Sequence, residues 1–342
     1  MVNDIPLSPS WEIDVFRPED AAGVAQLYRQ IYGENYPVRD VYDPEKLVAQ
    51  NLTGESYRVV ARTGVGEVLG HIAFYRSSPP NRNMYELGQM MVRQDCRVSD
   101  MAARLFAFSL AEVPRRHNLE QVWGEAVCNH LVTQQMAADC GFLPAALEVG
   151  LMPAEAFAGA FSQPLGSGRV AALALFRAFK ARPHTLYLPP VYAEALRFIY
   201  EPFGFGHTFA VSGAELPGDT RTGGRTDIFA PAGVARLTLS AAGRDLAAYL
   251  EKEERQAEAE GAVVIQVYLP LTWPWAGAAA GILRRQGYFF GGALPRWFDD
   301  DGLLMQKLLI EPDFEGIHLF RKQAKQILHY VQQDWLSGRG GA

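Results

Sequence analysis

The stretch that most constrains this chain is residues 85–142, because its hydrophobic spacing changes period within a few residues. Residues 87–92 (LGQMMV) form an apolar run short enough for a buried strand. From Met101 onward the apolar positions Met101, Ala102, Leu105, Phe106, Leu110 and Val113 fall on one helical face. The change of period falls at residues 96–100. A turn between a strand and a helix start aims backbone N–H groups at whatever sits there, which makes it a natural anion site. A second strand, 121–128, and a second helix ending at Cys140-Gly141-Phe142 complete the stretch.

Ahead of it, residues 11–16 alternate as a first strand and 21–32 read as a helix. Asp43-Pro44-Glu45 reads as an N-cap with proline at the first helical position, opening a helix that ends near Gly54. Residues 57–61 and 69–75 are β-rich runs joined by a segment holding Gly64 and Gly66, which predicts a hairpin leading into the strand at 85–93. Breakers at Met152-Pro153, Gln163-Pro164 and Gly166-Ser167-Gly168 place a domain boundary in that region, giving domains 1–160 and 161–342. A chain of 342 residues exceeds the size at which a single core stops growing, which also favours two domains.

In the second half the pattern predicts a helix over 170–181, a short strand at 186–190, a helix over 191–200 and a long irregular connection over 204–224. Strands at 234–240 and 262–269 flank a charged helix, 244–260. A helix over 275–286 then precedes closing strands at 289–294 and 303–309. Helix, glycine-aromatic, strand, proline thus occurs twice, at Cys140-Gly141-Phe142 to Pro153 and at Gln286-Gly287-Tyr288 to Pro295. A tail helix over 316–335 carries Ile317, Phe320, Ala324, Ile327, Leu328, Val331 and Trp335 at helical spacing, for packing on its own domain or for a dimer contact.

Within the strand 121–128, Trp123, Glu125 and Val127 point one way, so Glu125 is carried to one face of a sheet rich in apolar residues. A buried carboxylate there needs a partner or a raised pKa, which makes Glu125 either a general base or a structurally hydrogen-bonded strand residue.

The order strand, turn, helix, strand, helix, Gly-Phe resembles the core of the GNAT acyltransferase superfamily, whose turn binds the diphosphate of acetyl-CoA. The resemblance covers most of residues 11–153. The family's turn pattern is Arg or Gln, two residues, Gly, one residue, then Gly or Ala. Here Arg97 and Ala102 match, while Asp100 replaces the central glycine. A carboxylate there stabilises the helix start by about 0.3–1 kcal/mol but repels a diphosphate. Ser99 or Asp100 therefore reads equally as a plain N-cap. The resemblance implies a mixed α/β fold of two GNAT-like domains, each a largely antiparallel sheet flanked by helices, the second degenerate. That second domain has no matching turn, residues 240–244 being too poor a match, so it would wall the substrate cleft or dock a partner. The resemblance further implies acetyl-CoA or another acyl-CoA as co-substrate, held by Met91, Val92, Arg97, Val98, Ser99, Asp100, Met101, Ala102 and His130. Counting back from Gly141-Phe142 puts His130 where the family commonly has Asn and Ala137 where it carries a Tyr general acid. An imidazole's unperturbed pKa lies near neutrality, so His130 reads as an acid or base, as a cofactor contact or helix cap, or as a structural residue. Glu86, where the family often places its base, is the other carboxylate, and Tyr75 and Tyr85 are candidate proton donors.

The bulk properties agree with this. The net charge of −6 and the lack of a basic block argue against nucleic acid. Cys96, Cys128 and Cys140 are too few and too widely spaced for a disulfide framework or a zinc site, so no metal is expected and a reducing cytoplasm fits. Residues 1–10 lack a signal pattern, and no apolar run is long enough to span a bilayer, so an unprocessed, soluble chain is expected. Two functions stand: an N-acyltransferase acting on a small-molecule amine or a peptide, or a fold without catalysis that binds acyl-CoA or another small molecule as a sensor or interaction module.

Overall fold

The computed structural model describes residues 10–97, 99–157 and 168–339. It is a mixed α/β structure whose chain falls into two compact units. One comprises the residues up to Ser78 together with Tyr85–Val122. The other takes Pro79–Met84 and nearly everything from Trp123 onward. The boundary expected between residues 160 and 161 lies outside the described residues, as does the expected cofactor contact Val98.

In the first unit, β1 (Trp11–Val15), α1 (Ala21–Tyr32), α2 (Pro44–Thr53), β2 (Ser56–Thr63), β3 (Val68–Tyr75), β4 (Tyr85–Val92) and α3 (Met101–His117) follow in order. The strands form an antiparallel meander, β1-β2-β3-β4. Helix α2 starts as its sequence dictates. The Asp43 carboxylate accepts from the backbone N–H groups of Glu45 and Lys46, Pro44 occupies the first helical position, and Gly54 ends the helix in a left-handed conformation. Val24, Leu27 and Tyr28 of α1, Leu47 of α2, Val60 of β2 and Met91 of β4 share one core.

The second unit continues with β5 (Gln121–Val127), whose first two residues belong to the first unit, then α4 (Val132–Asp139), β6 (Leu143–Pro153) and β7 (Arg169–Ala178). After these come β8 (Thr185–Leu188), α5 (Ala193–Tyr200), β9 (Thr208–Val211), β10 (Gly223–Phe229), β11 (Val234–Ala241) and α6 (Leu246–Ala259). β12 (Val264–Pro270), α7 (Ala276–Arg285), β13 (Phe289–Leu294), β14 (Gly302–Leu308) and α8 (Lys322–Arg339) complete it. Its main sheet runs β5-β7-β6-β13-β14-β12-β11-β10, and β8 and β9 form a separate parallel pair.

Two copies of one motif make up most of that sheet. β5-α4-β6-β7 inserts its third strand between the first two, in the order β5-β7-β6, and β12-α7-β13-β14 does the same in the order β12-β14-β13. In each copy the helix ends at a glycine with positive φ, Gly141 at 77° or Gly287 at 88°. The next residue closes a Schellman turn, with Phe142 N–H bonded to Ala137 O and Tyr288 N–H to Leu283 O, both at 3.0 Å. The copies meet where β6 and β13 pair antiparallel, Ala146 opposite Gly292.

Three expectations are corrected. Residues 170–181 were to be a helix, but β7 is a strand paired antiparallel with β6. Its Val-Ala-Ala-Leu-Ala-Leu-Phe run favours helix by propensity, and both faces are buried, so no alternation marks it as a strand. The connection at 204–224 contains β9 and begins β10. The tail helix begins at Lys322 rather than at residue 316, because the backbone of the preceding segment bonds elsewhere: His318 N–H to Cys128 O at 2.6 Å, and Phe320 N–H to the Gln134 side chain at 3.1 Å. The apolar face of α8, with Ala324, Ile327 and Val331, is buried within its own unit, where the helix lies against β6, β13 and α5.

The seam between the copies tolerates no side chain at Gly292. Its φ is 134°, and a Cβ there would lie 2.3 Å from Ala145 O and 2.5 Å from Ala146 Cα. Gly292→Ala should therefore lower stability in urea unfolding by roughly 3 kcal/mol. Gly141→Ala, which meets no atom closer than 3.8 Å, carries only the backbone penalty and should cost less.

Candidate functional site

In the first unit, the turn between β4 and α3 departs from the simple helix cap. β4 carries an extra residue opposite β3, so that Gln89 and Met90 face Ile72 and Gln89 takes φ 54°. Such bulges re-aim the strand and cluster beside active sites. At the strand end, Arg97 Nε folds back to Val92 O at 3.2 Å. Within the turn, the N–H of Arg97 bonds Gln94 O and that of Ser99 bonds Cys96 O. Ser99 Oγ donates to Cys96 O at 2.6 Å and accepts weakly from Met101 N–H at 3.3 Å. Asp100 stands at the cap position, but its carboxylate caps nothing. It is exposed and turns toward Arg104, 3.9 Å away. The ladder of α3 starts at Arg104 N–H to Asp100 O, which leaves the amides of Ala102 and Ala103 directed out of the helix start. Met91, Val92 and Met101, expected as cofactor contacts, are buried, so their side chains belong to the core.

Further back on β4, Glu86 accepts the Tyr75 hydroxyl proton and lies close enough to Tyr36 that its charge raises the phenol pKa, behind the larger effect of burial. Tyr28, Tyr32 and Tyr36 form a ring cluster beside it, with Tyr36 5.0 Å from each of the other two centroids. Tyr28 OH donates to the Gln89 side chain at 2.9 Å. Tyr85 is structural instead, its hydroxyl bonded to Gly54 O and to Arg76. Under the cluster, His71 Nδ1 donates to Gln89 O at 3.1 Å, which fixes its tautomer. Burial, helped by the Arg58 charge, pulls the His71 pKa down to about 3.

Glu125 and His130 belong to the second unit. Glu125 accepts from Arg236 Nη2 at 2.9 Å, and the same nitrogen lies 3.1 Å from Glu148. Arg236 Nε donates to Gln266 Oε1, the Gln266 amide donates to Glu148, and Tyr268 OH also donates to Gln266 Oε1, each at 2.9 Å. Burial opposes the guanidinium's charge, but Tyr268, Glu125 and Glu148 outweigh it and hold Arg236 protonated. One Glu125 oxygen is thus committed to an ion pair. Sequence reading missed Arg236 and Glu148; their one signal was a charged residue within each otherwise apolar strand.

His130 sits ahead of α4 and lines an open cleft of 530 Å³ with Leu131, Ile317, His318, Leu319 and Lys325. Burial lowers its pKa. Beside it, both polar atoms of the Asn129 side chain are buried without a partner, so the asparagine at this helix start is one residue before the counted position. Ala137 is buried in the core and offers no acid. Gln134 pins the 318–320 segment over the end of β5, donating to His318 O at 2.9 Å. The second copy repeats the arrangement. Ala214 N–H bonds Pro274 O at 3.2 Å, and the Gly277 N–H at the start of α7 donates to Ser212 Oγ at 2.7 Å. Each strand-to-helix notch therefore carries a segment of the chain itself.

No family model matches this chain, and no curated protein matches it. Among solved structures it is similar to a ribosomal-protein-S5-alanine acetyltransferase from Vibrio fischeri (10% identity over 51% of this chain and 97% of that one, TM-score 0.38). An acetyltransferase of the GNAT family from Staphylococcus aureus Mu50 gives 15% identity, 50% and 100% coverage and a TM-score of 0.36. A dodecameric spermidine N-acetyltransferase from Vibrio cholerae gives 12%, 49%, 93% and 0.37. Each match spans about half of this chain.

Two outcomes follow from the buried charges. Unfolded His71 takes up a proton below its ordinary pKa of 6.5, whereas folded His71 does so only near 3. Stability present above pH 6.5 should therefore fall as the pH drops toward 3. Urea midpoints measured across that range should show a shallower fall for His71→Gln. Arg236→Met strands the buried Glu148 carboxylate and should cost about 3–5 kcal/mol in the same assay.

Proposed function

We propose that the chain is an acyl-CoA-dependent N-acyltransferase built from two tandem GNAT-like halves, of which the first carries the chemistry. The observation that supports it most is local: a strand bulged at Gln89 runs into a helix whose first amides, Ala102 and Ala103, are directed outward, with the Glu86 carboxylate on the same strand. The sequence resemblance over residues 11–153 and the repeated strand–helix–hairpin order support the tandem reading. Acetyl-CoA or another acyl-CoA is the co-substrate, its diphosphate received by the outward amides of the turn with Arg97 beside it. In the second unit, the cleft lined by His130, His318 and Lys325 is on its own a donor set suited to an anionic group.

The acceptor is an amine, either a small molecule or a peptide. Tyr32 and Tyr36 present π faces that attract a cationic amine, and Glu86 offers the opposite charge. Glu86, or a water it orients, removes the amine proton. Attack on the thioester carbonyl then passes through an oxyanion that backbone donors stabilise. Glu125 serves the ion-pair network with Arg236 rather than as the base. Because Ala137 supplies no acid, the departing thiolate takes its proton from solvent or from a tyrosine of the β3–β4 face.

Asp100 in the turn and Ala137 in the core favour a second reading, a sensor that binds acyl-CoA without turnover. Thermal unfolding with a series of acyl-CoAs tests both. A ligand at 100 times its Kd adds about 2.7 kcal/mol, so no shift with any acyl-CoA would sink both readings. A shift with thiol release on an amine panel identifies the enzyme, and a shift without release identifies the sensor. Asp100→Gly should tighten acyl-CoA binding, since the carboxylate stands at the cap without capping. Glu86→Gln should lower kcat by roughly 10²–10⁴-fold while leaving acyl-CoA binding intact.

A further inference from the structure

In the second unit, away from both features above, we infer that His184, His207 and Asp301 form a binding site for a divalent transition metal ion, zinc foremost. The topology builds it. β8 and β9 pair in parallel with Thr185 opposite Thr208, so the residues just before them, His184 and His207, stand side by side with ring centroids 4.3 Å apart. Asp301, immediately before β14, closes the group. All three ligand atoms lie within 4.8 Å of one another.

Distances and partners both favour a cation. His184 Nε2 lies 3.5 Å from Asp301 Oδ1, and His207 Nε2 lies 3.3 Å from Asp301 Oδ2. A tetrahedral ion with bonds of about 2.0–2.1 Å has ligand-to-ligand edges of about 3.3–3.4 Å. Asp301 is fully buried, and Asp301 Oδ2 and both Nε2 atoms are buried without a hydrogen-bond partner, while the Tyr200 hydroxyl lies against the same carboxylate. His184 Nδ1 donates to Arg182 O at 2.9 Å, so in the neutral ring Nε2 is a bare lone pair facing a carboxylate oxygen. Two acceptors in that contact repel unless a cation sits between them. The Nδ1-to-carbonyl bond is also the outer-sphere support that metal-bound imidazoles use.

The remaining contacts are compatible. Asp301 Oδ1 accepts the Arg296 N–H at 2.9 Å, which orients the carboxylate. His184 N–H lies 3.3 Å from His207 Nδ1, a long bond that gives way when Nδ1 takes the ring proton on coordination. The neighbouring Arg182 and Arg296 side chains both pair with Asp299. Phe205 and Tyr200 pack edge-on against His207 and give the site an apolar collar. Two imidazoles and one carboxylate suit zinc, with Tyr200 or water completing the shell. The ion would fasten the β8–β9 pair to the start of β14.

Untagged protein, stripped with chelator and dialysed, tests this directly. It should take up a single equivalent of Zn2+ by calorimetry and elemental analysis. Its Tm should rise with Zn2+ and return with EDTA, and Co2+ should give the visible absorption of a four-coordinate site. His184→Gln, at the more exposed ligand, should abolish the cobalt spectrum and the Zn2+-dependent Tm shift while remaining folded by circular dichroism. Asp301→Asn should do the same or fail to fold, and the wild-type spectrum with His184→Gln decides in the latter case. Wild-type protein that binds neither ion, or a His184→Gln variant that binds both unchanged, overturns the site in favour of a protonated His–Asp cluster.

Discussion

The ion pairs of Arg236 tie the first motif copy to β11, towards the other end of the second unit's sheet. Glu125 and Glu148 come from the first copy, on β5 and β6, whereas Arg236 on β11 and Gln266 on β12 come from the other end of the same sheet. Five strands lie between β5 and β11 in the sheet order, so side chains of the two meet only because the sheet curls. The twist of each strand, accumulated over the sheet, provides that curl. Burying a carboxylate as deeply as Glu148 is unfavourable unless a cation reaches it, and Arg236 is held in place by Gln266 to do so. Pairs of this kind add little to net stability but exclude alternative arrangements, because any other register would leave a charge alone. The β6–β13 seam contributes the complementary steric constraint, since only glycine at residue 292 lets the two backbones approach.

Much of this fold was legible in the sequence, and for stated reasons. The period change at residues 96–100, the Asp43-Pro44 cap and the two glycine-aromatic helix ends are local signals, and each appears where it was expected. β7 was misread because alanine and leucine favour helix in isolation, while burial of both faces against neighbours decided for strand. The tail helix was extended too far because residues 317 and 320 fit helical spacing, yet their segment is bonded to Cys128 and Gln134.

The site was less legible, for a different reason. Glu125 could be recognised as a carboxylate on an apolar face, but its partner lies 111 residues away and no spacing rule connects the two. Asp100 could be recognised as a departure from the turn pattern, but not that its side chain leaves the helix start uncapped. His184, His207 and Asp301 carry no motif at all. They converge because a parallel strand pair aligns the two imidazoles and a loop delivers the carboxylate. Long-range groupings of polar residues are products of topology, and topology is what a single sequence specifies least directly.

The two strand-to-helix notches show how one motif can be put to different uses. In the second copy, Ser212 and Ala214 satisfy the start of α7 and the carbonyl of Pro274, so the amide that would receive an anion is already bonded. In the first copy the inserted segment bonds Cys128 O and the Gln134 side chain, but the Asn129 amide beside it is left without partners and an open cleft remains at His130. Buried polar groups without partners are rare in a folded protein unless something else supplies the bond. The two copies therefore differ in how they satisfy the notch: the second bonds its helix start with its own chain, whereas the first leaves the Asn129 side chain without partners beside an open cleft.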